Sequence, residues 1–92
     1  MAQDQQIVKI SREWTELTNA PASEIVFLVQ GGAAYIAYTA SAAAPTAEIG
    51  ALYASKKGER DLISALTPLA GANRVWAKSA ANETTAIFVD HA

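Results

Sequence analysis

Glycine and proline residues divide this 92-residue chain into short intervals, and this spacing limits the fold more than any other feature. Proline interrupts regular structure because it lacks a backbone N–H, and glycine because it is conformationally free. A packed helix averages about 11–12 residues, whereas strands commonly have about five or six. The intervals therefore favour strands. The interrupting residues are Pro21, Gly31, Gly32, Pro45, Gly50, Gly58, Pro68 and Gly71.

The residue types between these interruptions also favour strands. Residues 23–30 are rich in β-branched and aromatic side chains, and residues 73–78 alternate between apolar and polar positions. Further strand-like runs lie at residues 12–18, 34–39, 50–54, 60–64 and 84–90. Six or seven short strands at this spacing predict an all-β fold, a small antiparallel β-sandwich or barrel.

Two features of residues 23–39 predict finer detail. Residues 25–29 are five consecutive apolar residues, which predicts a strand that is buried on both faces. Gly31 and Gly32 then separate two strand-like runs. Because glycine adopts positive φ without steric cost, this pair predicts a β-hairpin.

The N-terminal residues have two interpretations. Ile7, Val8 and Ile10 are compatible with an early strand or with an extended arm. We predict a flexible N-terminal arm over residues 1–10, followed by a single β domain over residues 11–92. Such an arm would become ordered when the protein binds a partner.

The segment 59–69 also has two interpretations. Helical spacing of three and four residues relates Leu62, Ile63, Leu66 and Leu69. Pro68 fits poorly inside a helix, so we predict a strand followed by a loop, with one or two helical turns as the alternative.

Composition narrows the classes of function. The formal net charge is −2, which does not fit the basic surface of a nucleic-acid-binding protein. The chain has no cysteine, so disulfide and zinc–thiolate scaffolds are excluded. No apolar run reaches the roughly 18 residues of a membrane span. Because 21 of the apolar residues are alanines, the core is modest, and burial in an oligomer or a larger particle would supplement it.

Residues suited to catalysis are few. His91 is the single histidine and lies beside the C-terminus, next to Asp90, with which it would not share a strand face. Glu59 and Asp61 would share a face and form a carboxylate pair, but neighbouring basic residues favour a solvated charged turn. We therefore expect a protein that is not an enzyme and has no cofactor and no metal site.

The aromatic residues are the best candidates for binding. Trp76 alternates onto the same face as Arg74 and Lys78, and Trp, Tyr and Arg are enriched at protein interfaces. Core packing of Trp76 and stacking of a sugar or base are the alternatives. We expect a protein-contacting surface to be formed by Trp14, Tyr35, Tyr38, Tyr53, Arg74, Trp76 and Lys78.

The order of these elements resembles that of small virion structural proteins of tailed bacteriophages. The features that carry the resemblance are Trp-x-Glu-Leu-Thr at residues 14–18, the apolar strand ending in Val29-Gln30, Gly31-Gly32 with the strand at 34–38, Ala44-Pro45, Gly-Ala-Leu-Tyr at 50–53, residues 73–78 and the final strand ending at 87–89.

The resemblance implies a capsid decoration protein that stabilises the phage head shell. It implies the virion as the location, after assembly in the host cytoplasm, and the major capsid protein or other virion proteins as partners. A homo-oligomer is expected, without nucleic-acid or membrane binding. The alternatives are a head–tail connector, a tail component, or a small module that binds carbohydrate or another surface.

Overall fold

A computed structural model describes residues 6–18, 21–41, 43–46, 50–67, 69, 71–80 and 85–91, without the side chains of residues 6 and 91. Within these ranges the chain forms eight strands and one helix of four residues. They are β1 (Gln6–Ile10), β2 (Thr15–Glu16), β3 (Glu24–Val29), β4 (Ala34–Thr39), β5 (Ala51–Tyr53), β6 (Gly58–Leu62), α1 (Ile63–Leu66), β7 (Arg74–Ser79) and β8 (Thr85–His91).

The strands form two antiparallel four-stranded sheets that pack face to face. Sheet A has the order β1-β8-β3-β6, and sheet B has the order β2-β7-β4-β5. This confirms the predicted all-β antiparallel sandwich, with eight strands in the described ranges where six or seven were expected. The buried core between the sheets consists of Ile10, Leu17, Ala22, Ile25, Phe27, Val29, Ala34, Ile36, Ile63, Val75, Ala77, Ile87 and Val89.

Strand β3 is buried on one face only, so the prediction of burial on both faces is wrong. Ile25, Phe27 and Val29 point into the core, whereas Val26 is half-buried and Leu28 is exposed. The reason is architectural. In a two-layer sandwich each sheet has one inward face, and the alternate side chains of its strands point outward.

The predicted hairpin at Gly31-Gly32 is also wrong. Strand β3 pairs with β6 and β8 in sheet A, whereas β4 pairs with β5 and β7 in sheet B. Gly32 does adopt a positive φ of 72°, and the chain turns there. This turn carries the chain from sheet A to sheet B. The prediction failed because a pair of glycines indicates where the chain turns but not which strand becomes the hydrogen-bonded neighbour.

The two ambiguous segments are described in part. Residues 6–10 form β1 rather than an arm, because β1 pairs with β8 along its length and Ile10 is buried in the core. Residues 1–5 lie outside the described residues. At the other segment, β6 ends at Leu62 and is followed at once by α1, so the predicted strand and the alternative helical turn occur in succession.

Candidate protein-interaction surfaces

The outward side of sheet B, which we call the aromatic face, carries five of the seven residues predicted for protein contact. Lys78 lies opposite Tyr35, and Tyr35 lies opposite Leu52. Trp14 lies one residue before β2. Because the first residue of β2 lies opposite Ala77, Trp14 falls opposite Lys78 and extends the row of Lys78, Tyr35 and Leu52 across all four strands. The face comprises Trp14, Glu16, Tyr35, Ala37, Thr39, Leu52, Arg74, Trp76 and Lys78.

The Trp14 ring contacts Lys78 and lies close to Gly50. The Lys78 Nζ lies 4.9 Å from the centroid of the Trp14 ring, a cation–π contact. A Cβ atom built on Gly50 would lie 3.3 Å from the Trp14 Cη2 and would also collide with the backbone carbonyl of Ile36. Because Gly50 directly precedes β5, the Trp14 ring reaches from the β2 side of the aromatic face toward the β5 side.

Trp76 lies on this face but is covered by its neighbours. It is 7% exposed, and its indole N–H donates a 2.8 Å hydrogen bond to the Thr39 Oγ1. It lies opposite Glu16 on β2 and Ala37 on β4, outside the core between the sheets. Of the interpretations left open by the sequence, the burial and the satisfied N–H favour a packing role for Trp76.

Arg74 is paired within the chain. Its Nη1 donates to the Glu16 Oε2 over 2.8 Å, and both side chains are largely buried. The Thr18 hydroxyl donates to the same carboxylate oxygen over 3.2 Å and accepts the Val75 N–H over 3.1 Å. This network ties β2 to β7, so the charge of Arg74 is already balanced inside the fold.

Tyr38 and Tyr53 lie on the other side of sheet B, facing sheet A. The Tyr53 hydroxyl donates to the Glu59 Oε2 over 3.1 Å, and Tyr38 lies near both groups. The Tyr53 ring also meets Phe27 edge-on, at 5.1 Å between centroids and 85° between planes. Burial raises the pKa of Tyr38 above its ordinary range, with smaller contributions from the nearby Tyr53 and Glu59. Burial likewise raises the pKa of Tyr53.

These contacts separate the predicted interface residues into two groups. Tyr38 and Tyr53 join the two sheets and do not share a surface with the aromatic face. On the aromatic face, Tyr35 is half-buried, and its neighbour Leu52 is 62% exposed. Leu52 was not singled out from the sequence, and its position within the strand-like run at 50–54 gave no sign of its outward direction.

A second surface, the apolar face, covers the outward side of sheet A. Ile7, Phe88, Leu28 and Gly58 form a straight row across its four strands. Ile7 is 51% exposed and Leu28 is 38% exposed. The next row along β3 holds Val26 between Asp90 and Arg60. The sequence signal for this face was the unbroken apolar run at 25–29, which we interpreted as burial within the chain.

The remaining candidates concern catalysis, metals and membranes. The side chain of His91 lies outside the described residues. The Asp61 Oδ1 accepts the N–H of Leu62 over 2.7 Å, and Glu59 accepts from Tyr53. In the part of the chain that the structure describes, no three or more His, Cys, Asp and Glu residues group as metal ligands. Nor does any helix there have the length and apolar character needed to cross a membrane.

Comparison of the chain with protein-family models, with curated proteins and with solved structures finds no match.

Proposed function

We propose that this chain is a non-enzymatic structural protein of a tailed-bacteriophage particle, a capsid decoration protein that attaches to the head shell through the aromatic face. The observation that carries the proposal is the position of Leu52. It is the most exposed large apolar residue in the described ranges, at 62%, and it ends the row that contains Tyr35, Lys78 and Trp14.

This row has the properties of a protein-binding patch. Trp14 is fixed by Lys78 and by its approach to Gly50, so it loses little conformational freedom when a partner binds. Tyr35 is half-buried and presents an amphipathic ring beside Leu52. Aromatic anchors surrounded by polar groups are typical of the residues that contribute most to binding. A symmetric shell offers many such contacts, and their sum strengthens attachment.

The geometry favours a protein partner over a stacked sugar. Sugar stacking on Trp76, Tyr35 or Tyr38 requires an open aromatic ring face, but Trp76 is buried, Tyr35 is half-buried and Tyr38 faces the opposite sheet. Lys78 lies over the ring of Trp14. A head–tail connector or a tail component would use the same kind of contact, and the number of copies per particle distinguishes these positions from decoration.

The test measures binding of the purified chain to particles. Particles are purified from the lysate in which the chain occurs, stripped of it with chaotrope, and mixed with wild-type protein or Leu52→Asp before sedimentation. We expect wild type to co-sediment and Leu52→Asp to bind at least about 30-fold more weakly, the loss expected for a residue that contributes strongly to binding.

Leu69→Asp is the matched control. Leu69 is 47% exposed and lies in the connection between α1 and β7, outside the row that contains Leu52, so the same substitution there should leave binding unchanged. Circular dichroism melting of both variants verifies folding. Equal binding by wild type and Leu52→Asp, or absence of wild-type binding, contradicts the proposal.

A further inference from the structure

We infer that the apolar face binds the apolar face of a second copy of this chain. The two-fold axis of this dimer lies between the two facing copies of sheet A and runs parallel to β3. This dimer is independent of the proposed attachment through the aromatic face, since the two surfaces lie on opposite sides of the sandwich. The inference rests on which residues the strand register places on the two sides of β3.

The register makes the apolar face complementary to itself in shape. Leu28 lies between Phe88 on β8 and Gly58 on β6. An axis along β3 places β8 of one copy over β6 of the other. Phe88, the largest side chain of the row, then faces Gly58, which has no side chain, and Leu28 faces Leu28 of the second copy.

The same axis makes the charges complementary. In the next row, Val26 lies between Asp90 on β8 and Arg60 on β6. The axis brings Asp90 of each copy opposite Arg60 of the other, with Val26 facing itself. An axis along β8 would place Asp90 against its own copy, and an axis between β8 and β3 would place Asp90 against Val26. Only the axis along β3 pairs opposite charges.

One charged residue, Glu24, weakens the proposed dimer, so its removal predicts an increase in dimer affinity. Glu24, two residues before Val26 on β3, is exposed at the end of the face and would approach Glu24 of the other copy. Like charges at an exposed rim repel weakly, and salt screens them. Removing this charge should therefore strengthen the dimer.

The expected dimer is weak. Strands lie about 4.8 Å apart, and five residues span about 17 Å, so the overlapping part of two such sheets is smaller than the roughly 800 Å² per partner of a standard interface. We therefore expect monomers at low concentration and dimers at high concentration. In a particle, where copies are held close together, such a contact would link neighbouring copies.

The test is sedimentation equilibrium of the full chain over a concentration series. Wild type should show a reversible monomer–dimer equilibrium. Leu28→Asp should weaken it at least about 30-fold, because the substitution places two carboxylates at the centre of the interface. Arg60→Glu should weaken it by removing the pairing with Asp90, and Glu24→Gln should strengthen it. Leu52→Asp, on the aromatic face, should leave it unchanged.

A cross-linking experiment tests the axis itself. The chain has no cysteine, so Val26→Cys introduces one thiol, which would face its copy across the axis. Facing sheets lie about 10 Å apart, beyond the reach of a disulfide but within that of a short bismaleimide. We expect Val26→Cys to be cross-linked much faster than the control Leu52→Cys.

Several results would overturn the inference. These are a wild-type chain that stays monomeric at the highest soluble concentration, dimerisation that survives Leu28→Asp, or cross-linking of Val26→Cys no faster than that of Leu52→Cys. A Glu24→Gln variant that dimerises more weakly than wild type would reject the axis along β3. Because Leu28→Asp is not expected to affect particle binding by a monomer, failure here is distinguishable from failure of the proposed attachment.

Discussion

Substitution of Trp76 tests whether this residue packs the sandwich or serves a partner. Trp76 is 7% exposed and donates its indole N–H to Thr39 over 2.8 Å. Replacing a buried Trp by Ala typically lowers the free energy of unfolding by about 3–5 kcal/mol. A domain of this size has a total of about 5–15 kcal/mol, so Trp76→Ala should remove a large part of its stability. For a chain this short, the loss corresponds to a fall in Tm of more than about 12 °C.

The milder variant Trp76→Phe separates the hydrogen bond from the packing. It keeps an aromatic ring but leaves the Thr39 hydroxyl without its indole donor, which should cost about 1 kcal/mol in addition to the smaller ring volume. Thr39→Val combined with Trp76→Phe should then cost less than the sum of the two single changes, because both remove the same bond.

Urea denaturation followed by far-UV circular dichroism measures these differences. The dependence on urea should keep its slope, so that the change is one of stability alone. Leu52→Ala is the control, because an exposed residue on the same face should change stability by less than about 0.5 kcal/mol. A packing role for Trp76 is refuted if Trp76→Ala loses less than about 1 kcal/mol of stability and matches Leu52→Ala.

Three further predictions follow from the contacts within the sandwich. Gly50→Ala should destabilise the fold by about 1–3 kcal/mol, because the new Cβ would meet a backbone carbonyl of β4. Gly31→Ala is the control and should be nearly neutral in the same denaturation assay, because open space surrounds Gly31. Burial raises the pKa of Tyr38, so the unfolded chain loses the Tyr38 hydroxyl proton at a lower pH than the folded chain does. The stability that this proton contributes should be intact below about pH 10 and fall above it. Tyr38→Phe should flatten this decline when Tm is measured across alkaline pH. Glu16→Gln should lower stability by about 1–3 kcal/mol, because it leaves the largely buried charge of Arg74 without its carboxylate partner, and a variant as stable as wild type in urea denaturation would contradict this.

The fold class was predictable because its signals are local. Alternation in residues 73–78 and the spacing of glycine and proline describe each strand separately. A strand overlaps each of the seven runs that these signals marked, whereas β1 forms where an arm was predicted. Strand pairing is not local: the signal at Gly31-Gly32 is the same for a hairpin and for a connection between sheets. Only the complete core, in which Ile25 and Ile36 lie on opposing sheets, determines which connection forms.

The candidate surfaces were predictable only in part, for a similar reason. The sequence placed Trp76 with Arg74 and Lys78 on one face, and the structure keeps that arrangement but uses Trp76 and Arg74 for internal contacts. Residue type indicates a capacity for binding, whereas exposure depends on neighbours contributed by distant strands. Leu28 illustrates the opposite case, since its apolar neighbours suggested burial that a two-layer fold does not provide.

Quantitative mass spectrometry of intact purified particles tests the proposed function most directly. If the chain decorates a head shell, it should be present in every particle at a copy number comparable with that of the major shell protein, and a preparation from which it has been removed should lose thermal resistance. Its absence from intact particles, together with unchanged resistance of the shell, would contradict the account.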